Sequence, residues 1–118
     1  LSATLQTFNR EAKTLIFNSL ENSSKENLEF IKLDDNNFLG QLIHSLFELN
    51  IQSIIVEGGT KTLQSFIDKG WWDEARVITN KEMVIENGIS APEMKDFTIE
   101  KNEELFSDLI NYYKPKGI

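Results

Sequence analysis

Apolar residues recur with two different periods along the chain, and they predict alternating strands and helices. Short runs rich in β-forming residues at 14–17 and 28–33 predict two strands. Between residues 38 and 47 the apolar side chains recur at i, i+1, i+4, i+5, i+8 and i+9, which is the spacing of one helix face. Residues 34–37 offer several helix caps before this helix, and Asn50 is expected to end it.

The next part of the chain continues the alternation. Residues 51–56 (IQSIIV) are short, β-branched and almost continuously apolar, which predicts a central strand buried on both faces. A glycine turn then leads into a predicted helix that starts at Gly59 or Thr60 and ends at Gly70. Residues 75–79 predict a further strand.

The remaining stretches have weaker patterns. Residues 20–27 have turn composition, and residues 80–94 are expected to be irregular because a glycine and a proline interrupt them. Residues 97–101 alternate like an exposed edge strand. Residues 105–113 fit a helix by spacing, yet residues 109–113 also fit a strand, and periodicity does not decide between the two.

The order of these elements predicts an α/β layered domain with a partly parallel sheet. A length of 118 residues and a mass of 13.6 kDa favour a single domain. Twelve basic against 19 acidic residues give a net charge of −7, so binding to nucleic acid or to an anionic membrane is not expected.

The chain contains no cysteine, which excludes disulfides, thiolate nucleophiles and cysteine metal ligands. With one histidine and scattered acids, no metal site is expected. No apolar run approaches the roughly 20 residues that a membrane-spanning helix needs, so a cytoplasmic location is expected. Because the chain opens with Leu1, we expect it to be part of a longer protein.

The turn after the predicted central strand is the strongest candidate for chemistry. Gly58 and Gly59 allow a ligand to approach the backbone closely, and the N–H groups at the start of the next helix attract phosphate. Lys61 adds a positive charge. Glu57 is a carboxylate at the end of an apolar strand, where it is costly unless it is hydrogen-bonded or serves a ligand. A competing interpretation is that the two glycines only make a tight turn, and neither GxGxxG nor GxxxxGK[ST] is present.

The sequence around this turn resembles a known family. The segment IIVEGG at residues 54–59, the helix after it and WDEARV at residues 72–77 resemble the RibD-type reductase domain of riboflavin biosynthesis, with a continuous likeness over residues 51–79. Weaker likeness extends to residues 14–17 and, in the following loop, to Gly88 and to Ala91 and Pro92.

This resemblance implies a dihydrofolate-reductase-like fold with a mixed, mostly parallel sheet and antiparallel C-terminal strands, so we predict a strand at residues 108–113. It implies NADPH-dependent reduction of the ribosylamino group of a phosphoribosylamino-pyrimidine to a ribitylamino group, and a homodimer. Glu57 would contact the substrate, and no catalytic residue is assigned. The residues implied to bind the cofactor are Gly58, Gly59, Thr60, Lys61, Thr62, Leu63, Gln64 and Ser65.

The N-terminal portion of the family's domain, with its SLDG-type segment, has no counterpart here. Residues 1–118 are therefore expected to be the C-terminal part of a single reductase domain. Two other hypotheses stay open: a nucleotide-binding module without turnover, and a structural α/β domain whose EGG turn is only a turn.

Other conspicuous residues have simpler interpretations. His44 falls on the polar side of its helix and is expected at the surface. Asp73 and Glu74 are adjacent on a strand and point to opposite faces, so a structural role at the strand entrance is expected rather than an acid–base pair. Residues 71–72 (two tryptophans) are expected to cap the core, and the acidic run at 100–104 is expected to solvate a sheet edge.

Overall fold

The computed structural model describes residues 11–117 of the chain. Its contacts divide the chain into two compact units, one ending at Ile54 and the other beginning at Ile55. The elements in chain order are β1 (Thr14–Asn18), β2 (Ser23–Lys25), β3 (Leu28–Lys32), α1 (Phe38–Glu48), α2 (Thr60–Lys69), β4 (Ala75–Asn80), β5 (Phe97–Leu105) and β6 (Asp108–Pro115).

The first unit contains a three-stranded sheet in the order β1-β3-β2. β1 and β3 are parallel, with Ile16 opposite Phe30, and they confirm the two strands predicted from the apolar runs. β2 pairs antiparallel with β3 through a turn in which Asn27 has a φ of 51°. The sequence did not predict β2, because its three residues are polar and exposed and carry no alternation.

α1 follows β3 and confirms the predicted helix. Its apolar face is half-buried rather than buried, and Phe47 in the last turn is 75% exposed, which the helical pattern did not predict. Asn50 ends the helix as expected: it adopts a left-handed φ of 60°, and its N–H donates to the carbonyl of Phe47.

The second unit contains a three-stranded antiparallel sheet in the order β4-β6-β5. It confirms the strands predicted at residues 75–79, 97–101 and 108–113, and therefore the antiparallel C-terminal strands. β5 is longer than predicted and is exposed throughout, with a register shift between Ile99 and Lys101. The acidic run of residues 100–104 lies on this edge strand, as predicted.

α2 also confirms its prediction. It begins at Thr60 and ends at Gly70, whose left-handed φ of 68° lets its N–H donate to the carbonyl of Ile67. Phe66 is the buried residue of this helix, at 7% exposure. Residues 81–96, between β4 and β5, form no helix or strand, as predicted.

One predicted element is wrong. Residues 51–56 form no strand, and Ile55 is 88% exposed. A central strand needs hydrogen-bonded neighbours on both edges, and neither sheet of the described residues offers residues 51–56 a pairing. The expected mostly parallel sheet is therefore also wrong. Within residues 11–117, β1 with β3 is the one parallel pair, in an α/β chain with two small sheets.

The helices are short. Within residues 11–117 neither is long and apolar enough to span a bilayer.

Candidate functional site

The turn before α2, formed by Gly58 and Gly59, has free space next to its backbone. A Cβ atom built on Gly58 or on Gly59 would meet no other atom within 4 Å. Gly58 has a φ of 154°, which residues with side chains rarely adopt, whereas Gly59 is extended, with φ −61° and ψ 164°. The space on the Cβ side of Gly58 and Gly59 is therefore free of described atoms other than those of their chain neighbours.

The first turn of α2 favours an anion. Its N-cap is Gly59, so no side chain caps the helix, and the first helical hydrogen bond runs from the N–H of Leu63 to the carbonyl of Gly59. The N–H groups before Leu63 have no acceptor inside the helix. The first turn contains no acidic residue, and Lys61 is exposed on it. These features give a positive local field on a chain of net charge −7.

Glu57 stands at the entrance of this turn and is exposed. The prediction placed it at the end of a buried strand, where the cost of burying a carboxylate argued for a functional role. Residues 51–56 form no strand, so that cost is not present in this structure. What remains is its position: a carboxylate three residues before the start of α2, directly before the two glycines.

The side chains of α2 at positions 60 and 64 contact a distant segment of the same unit. The Thr60 hydroxyl donates to the carbonyl of Ser90 at 2.7 Å. Gln64 binds both main-chain groups of Glu93: its Nε2 donates to the carbonyl at 3.1 Å, and its Oε1 accepts from the N–H at 2.8 Å.

Asp68 extends this contact by one more turn of α2. Its carboxylate pairs with Lys95 at 2.7 Å and accepts a hydrogen bond from Gln64 Nε2 at 2.9 Å. The hydrogen bond from Lys95, and then the one from Gln64, lowers the pKa of Asp68, and Asp68 in turn raises the pKa of Lys95. Both groups are at the surface, so the ion pair contributes little to stability. It does show that residue 95 lies beside the last turns of α2.

The remaining residues expected to bind the cofactor differ in their surroundings. Lys61 and Thr62 are exposed beside the open turn. Leu63 is half-buried, and the Ser65 hydroxyl donates to the carbonyl of Lys61 at 2.8 Å. Residues 57–59, 61 and 62 are thus exposed at the turn, whereas the side chains of Thr60, Gln64 and Ser65 have hydrogen bonds within the fold.

Comparisons with known proteins agree with the resemblance seen in the sequence. The family model described as the RibD C-terminal domain matches residues 1–81, a range that includes the turn, α2 and β4. The chain belongs to the RibD C-terminal domain family. A riboflavin biosynthesis protein RibD from Aquifex aeolicus (strain VF5) is 30% identical over 117 aligned residues. That alignment covers 88% of this chain and 32% of the relative, so the chain spans about a third of the relative's length.

The contacts of α2 with residues 90–95 were missed by the sequence analysis. They join residues that are 27 to 30 positions apart. Two of them use the main chain of Ser90 and Glu93, so the identity of those two residues carries no signal. The segment also lies beyond the range that the family model matches. The available hint was the weak family likeness at Gly88, Ala91 and Pro92, the last two of which lie inside the segment.

The residues given simpler interpretations behave largely as expected. His44 is exposed and lies 3.1 Å from Glu48. Glu74, at the entrance of β4, pairs with Arg76 at 2.9 Å and with Lys114 at 3.5 Å, and the Arg76 hydrogen bond lowers the pKa of Glu74. Asp73 and Glu74 precede β4, which begins at Ala75, so the prediction that they lie on a strand is wrong, and a structural role for Glu74 stays a prediction.

The tryptophan pair does not behave as one unit. Trp72 is half-buried, but Trp71 is 43% exposed with the Lys69 ammonium 5.0 Å from its ring centroid. The prediction that both residues cap the core is therefore wrong for Trp71, because its ring faces a cation at the surface.

Metal ligands are scattered in this fold. No group of three or more histidine, aspartate or glutamate side chains within residues 11–117 could hold an ion.

Proposed function

We propose that this chain is part of an NADPH-dependent reductase of riboflavin biosynthesis. The proposed reaction converts the ribosylamino group of 5-amino-6-(5-phosphoribosylamino)uracil to a ribitylamino group. Membership of the RibD C-terminal domain family supports the class of enzyme. The observation that carries the site is the open glycine turn at the start of α2, inside the range that the family model matches.

The residues at this turn fit a dinucleotide phosphate. Phosphate oxygens accept hydrogen bonds from main-chain N–H groups at a helix start, and the first turn of α2 has no side-chain cap, no acidic residue and the exposed ammonium of Lys61. Gly58, Gly59, Thr60, Lys61 and Thr62 would hold the phosphates. The chemistry supplied by a bound nicotinamide is the donation of a hydride, here to C1 of the ribosyl group.

Glu57 is the proposed contact to the substrate. An ionised carboxylate only accepts hydrogen bonds, and the ribosyl hydroxyl groups of the substrate are donors. Because Glu57 directly precedes Gly58, a substrate bound by its carboxylate would lie next to the proposed cofactor site. Its role is to orient the ribosyl carbon, since positioning is the protein's main contribution to hydride transfer.

The exposure of Glu57 favours a second candidate, a nucleotide-binding module without turnover. In the second unit, among residues 55–117, no hydrogen bond or ion pair of the Glu57 carboxylate is seen, and its neighbour Ile55 is 88% exposed. Reduction needs a substrate held within reach of the nicotinamide, whereas nucleotide binding needs only the turn and α2. The cytoplasmic location and the homodimer stay predictions under either candidate.

Replacing Glu57 with glutamine separates these candidates. Binding of NADPH is measured by the fluorescence of its reduced nicotinamide, and reduction by the loss of nicotinamide absorbance after the pyrimidine substrate is added. We expect Glu57→Gln to lower kcat/KM about tenfold or more, because the charged acceptor of the hydrogen bond is replaced by a weaker, neutral one, and to change the Kd for NADPH less than about twofold. Glu86→Gln, an exposed residue in the irregular segment, makes the same charge change and should alter neither quantity.

Three outcomes are distinguishable. Binding with substrate-dependent oxidation supports the reductase. Binding without oxidation in the unmodified protein supports the nucleotide-binding module. No binding of NADPH contradicts the proposed site.

A further inference from the structure

The polar face of α2 binds the segment 90–95. This segment lies outside the family match and has no role in the proposed reaction. Thr60, Gln64 and Asp68 are spaced by four residues and so lie on one face of the helix. Their partners follow one another along the chain in the same order, so the segment 90–95 runs beside α2 for two helical turns. We call this set of contacts the α2 clamp; it consists of Thr60 with Ser90, Gln64 with Glu93, and Asp68 with Lys95.

Gln64 is the centre of the α2 clamp. Its amide oxygen accepts the Glu93 N–H, and its amide nitrogen donates both to the Glu93 carbonyl and to Asp68. A side-chain amide has two N–H groups, so both of its donors and one lone pair of its oxygen are in use. Gln64 therefore has no donor left for a phosphate in this arrangement, although the family resemblance implies a cofactor contact.

Thr60 connects the α2 clamp to the open turn. It is the first residue of α2, and its hydroxyl lies 2.7 Å from the carbonyl of Ser90. The backbone of Ser90 is thereby fixed next to the first turn of the helix, where the N–H groups lack helical partners. Losing the hydrogen bonds to Glu93, three residues after Ser90, would therefore make the segment beside this turn more mobile.

We propose that Gln64 is a positioning residue for nucleotide binding. It does not touch the nucleotide; it holds Glu93, and so fixes segment 90–95 as one side of the open turn. This inference rests on the proposed function, because it assumes that the nucleotide binds at the start of α2.

The test replaces Gln64 with methionine, which has a similar length and helix propensity but no amide. Amide hydrogen exchange is followed at Glu93, and NADPH binding and steady-state kinetics are measured on the same protein. We expect exchange at Glu93 to become about fivefold faster, as for one lost hydrogen bond, and the Kd for NADPH to rise by a similar factor. The kcat at saturating NADPH should change less than about twofold, because no group that touches the reacting atoms is altered.

Gln41 in α1 offers a matched control. Its amide makes the same kind of two-sided contact, accepting the Asp34 N–H at 3.1 Å and donating to the carbonyls of Asp34 at 3.2 Å and Asn36 at 2.7 Å. Gln41→Met should speed exchange at Asp34 and leave exchange at Glu93 unchanged. If Gln64→Met does not fold, Lys95→Gln removes the charge pair with Asp68 without changing α2, and the same shifts should follow in smaller size.

The outcomes separate this inference from the proposed function. Faster exchange at Glu93 with weaker NADPH binding supports both. Faster exchange with unchanged affinity, or unchanged exchange, overturns the positioning role and leaves the proposed function standing. If the unmodified protein does not bind NADPH, the proposed function fails and the positioning role fails with it, while the exchange rates still show whether the α2 clamp forms.

Discussion

The two helices begin in different ways, although both follow a polar or glycine-rich turn. At the start of α1, Asn37 adopts a left-handed φ of 56°, and its side-chain atoms lie 2.6 Å from where a Cβ of Gly40 would be. The side-chain amide of Gln41 also donates a hydrogen bond to the carbonyl of Asn36 at 2.7 Å. The first turn of α1 is thus covered by side chains of its own unit.

At the start of α2 the corresponding positions are Gly58 and Gly59, where a Cβ would meet no described atom within 4 Å beyond those of its chain neighbours. Both helices carry the same kind of dipole and neither has a side-chain cap. The dipole therefore does not distinguish them as anion sites. What distinguishes them is access, since at α2 the backbone is uncovered and at α1 it is not.

Filling the open turn should give the largest effect. Gly59 has an extended backbone that any residue can adopt, so Gly59→Val adds a side chain over the turn without straining the fold. We expect NADPH affinity to fall about tenfold or more, which corresponds to about 1.4 kcal/mol, because the phosphate loses its approach to the main chain. Isothermal titration measures the affinity. A single cooperative thermal transition shows that the variant folds, with a somewhat lower midpoint because valine is a poorer N-cap residue than glycine. Full affinity in the variant would contradict the site.

The matched change at α1 should have a smaller effect, and on stability alone. Gly40→Ala requires the exposed Asn37 side chain to move aside, but that side chain makes no capping hydrogen bond. Alanine is favoured over glycine inside a helix by about 1 kcal/mol, so the free energy of unfolding should rise by up to about 1 kcal/mol. NADPH affinity should not change. Denaturant unfolding and the same titration check both quantities, and a loss of affinity would mean that the start of α1 also takes part in binding.

The smallest effect should come from the ion pair in the α2 clamp. The pKa of Asp68 is lowered below its ordinary value of 3.8 when the chain folds, so its contribution to stability is present above pH 3.8 and is lost as the pH falls through the folded pKa. The thermal midpoint of Asp68→Asn should therefore lie slightly below that of the unmodified protein at neutral pH. The difference should vanish in acid. A difference that grows toward low pH would reverse the sign and contradict the pairing with Lys95.

Most elements could be predicted from the sequence because their signals are local. The spacing of apolar residues gave α1 and α2, and the short apolar or alternating runs gave β1, β3, β4 and β5. β6 required the family resemblance, since its spacing also fits a helix. The glycines of the open turn were found because a Gly-Gly pair before a helix has a specific backbone meaning.

The errors arose where a residue's state depends on distant neighbours. Residues 51–56 have the composition of a central strand, but a strand forms only where partners are available, and the sequence of a segment does not contain its partners. The α2 clamp was missed for the same reason, since Gln64 binds the main chain of Glu93, 29 residues away. The family resemblance implied that Gln64 contacts the cofactor. The structure instead shows its amide bound to Glu93 and Asp68, and this is the largest change to the interpretation of the site.

The most direct test follows the backbone amides of the unmodified protein by NMR while NADPH is added. If the nucleotide binds where access is open, the amides of Gly58, Gly59, Thr60, Lys61 and Thr62 shift during the titration. Those of Asn37, Phe38, Leu39 and Gly40 stay unchanged. Shifts confined to the start of α1, or no shifts at either helix, would contradict the account.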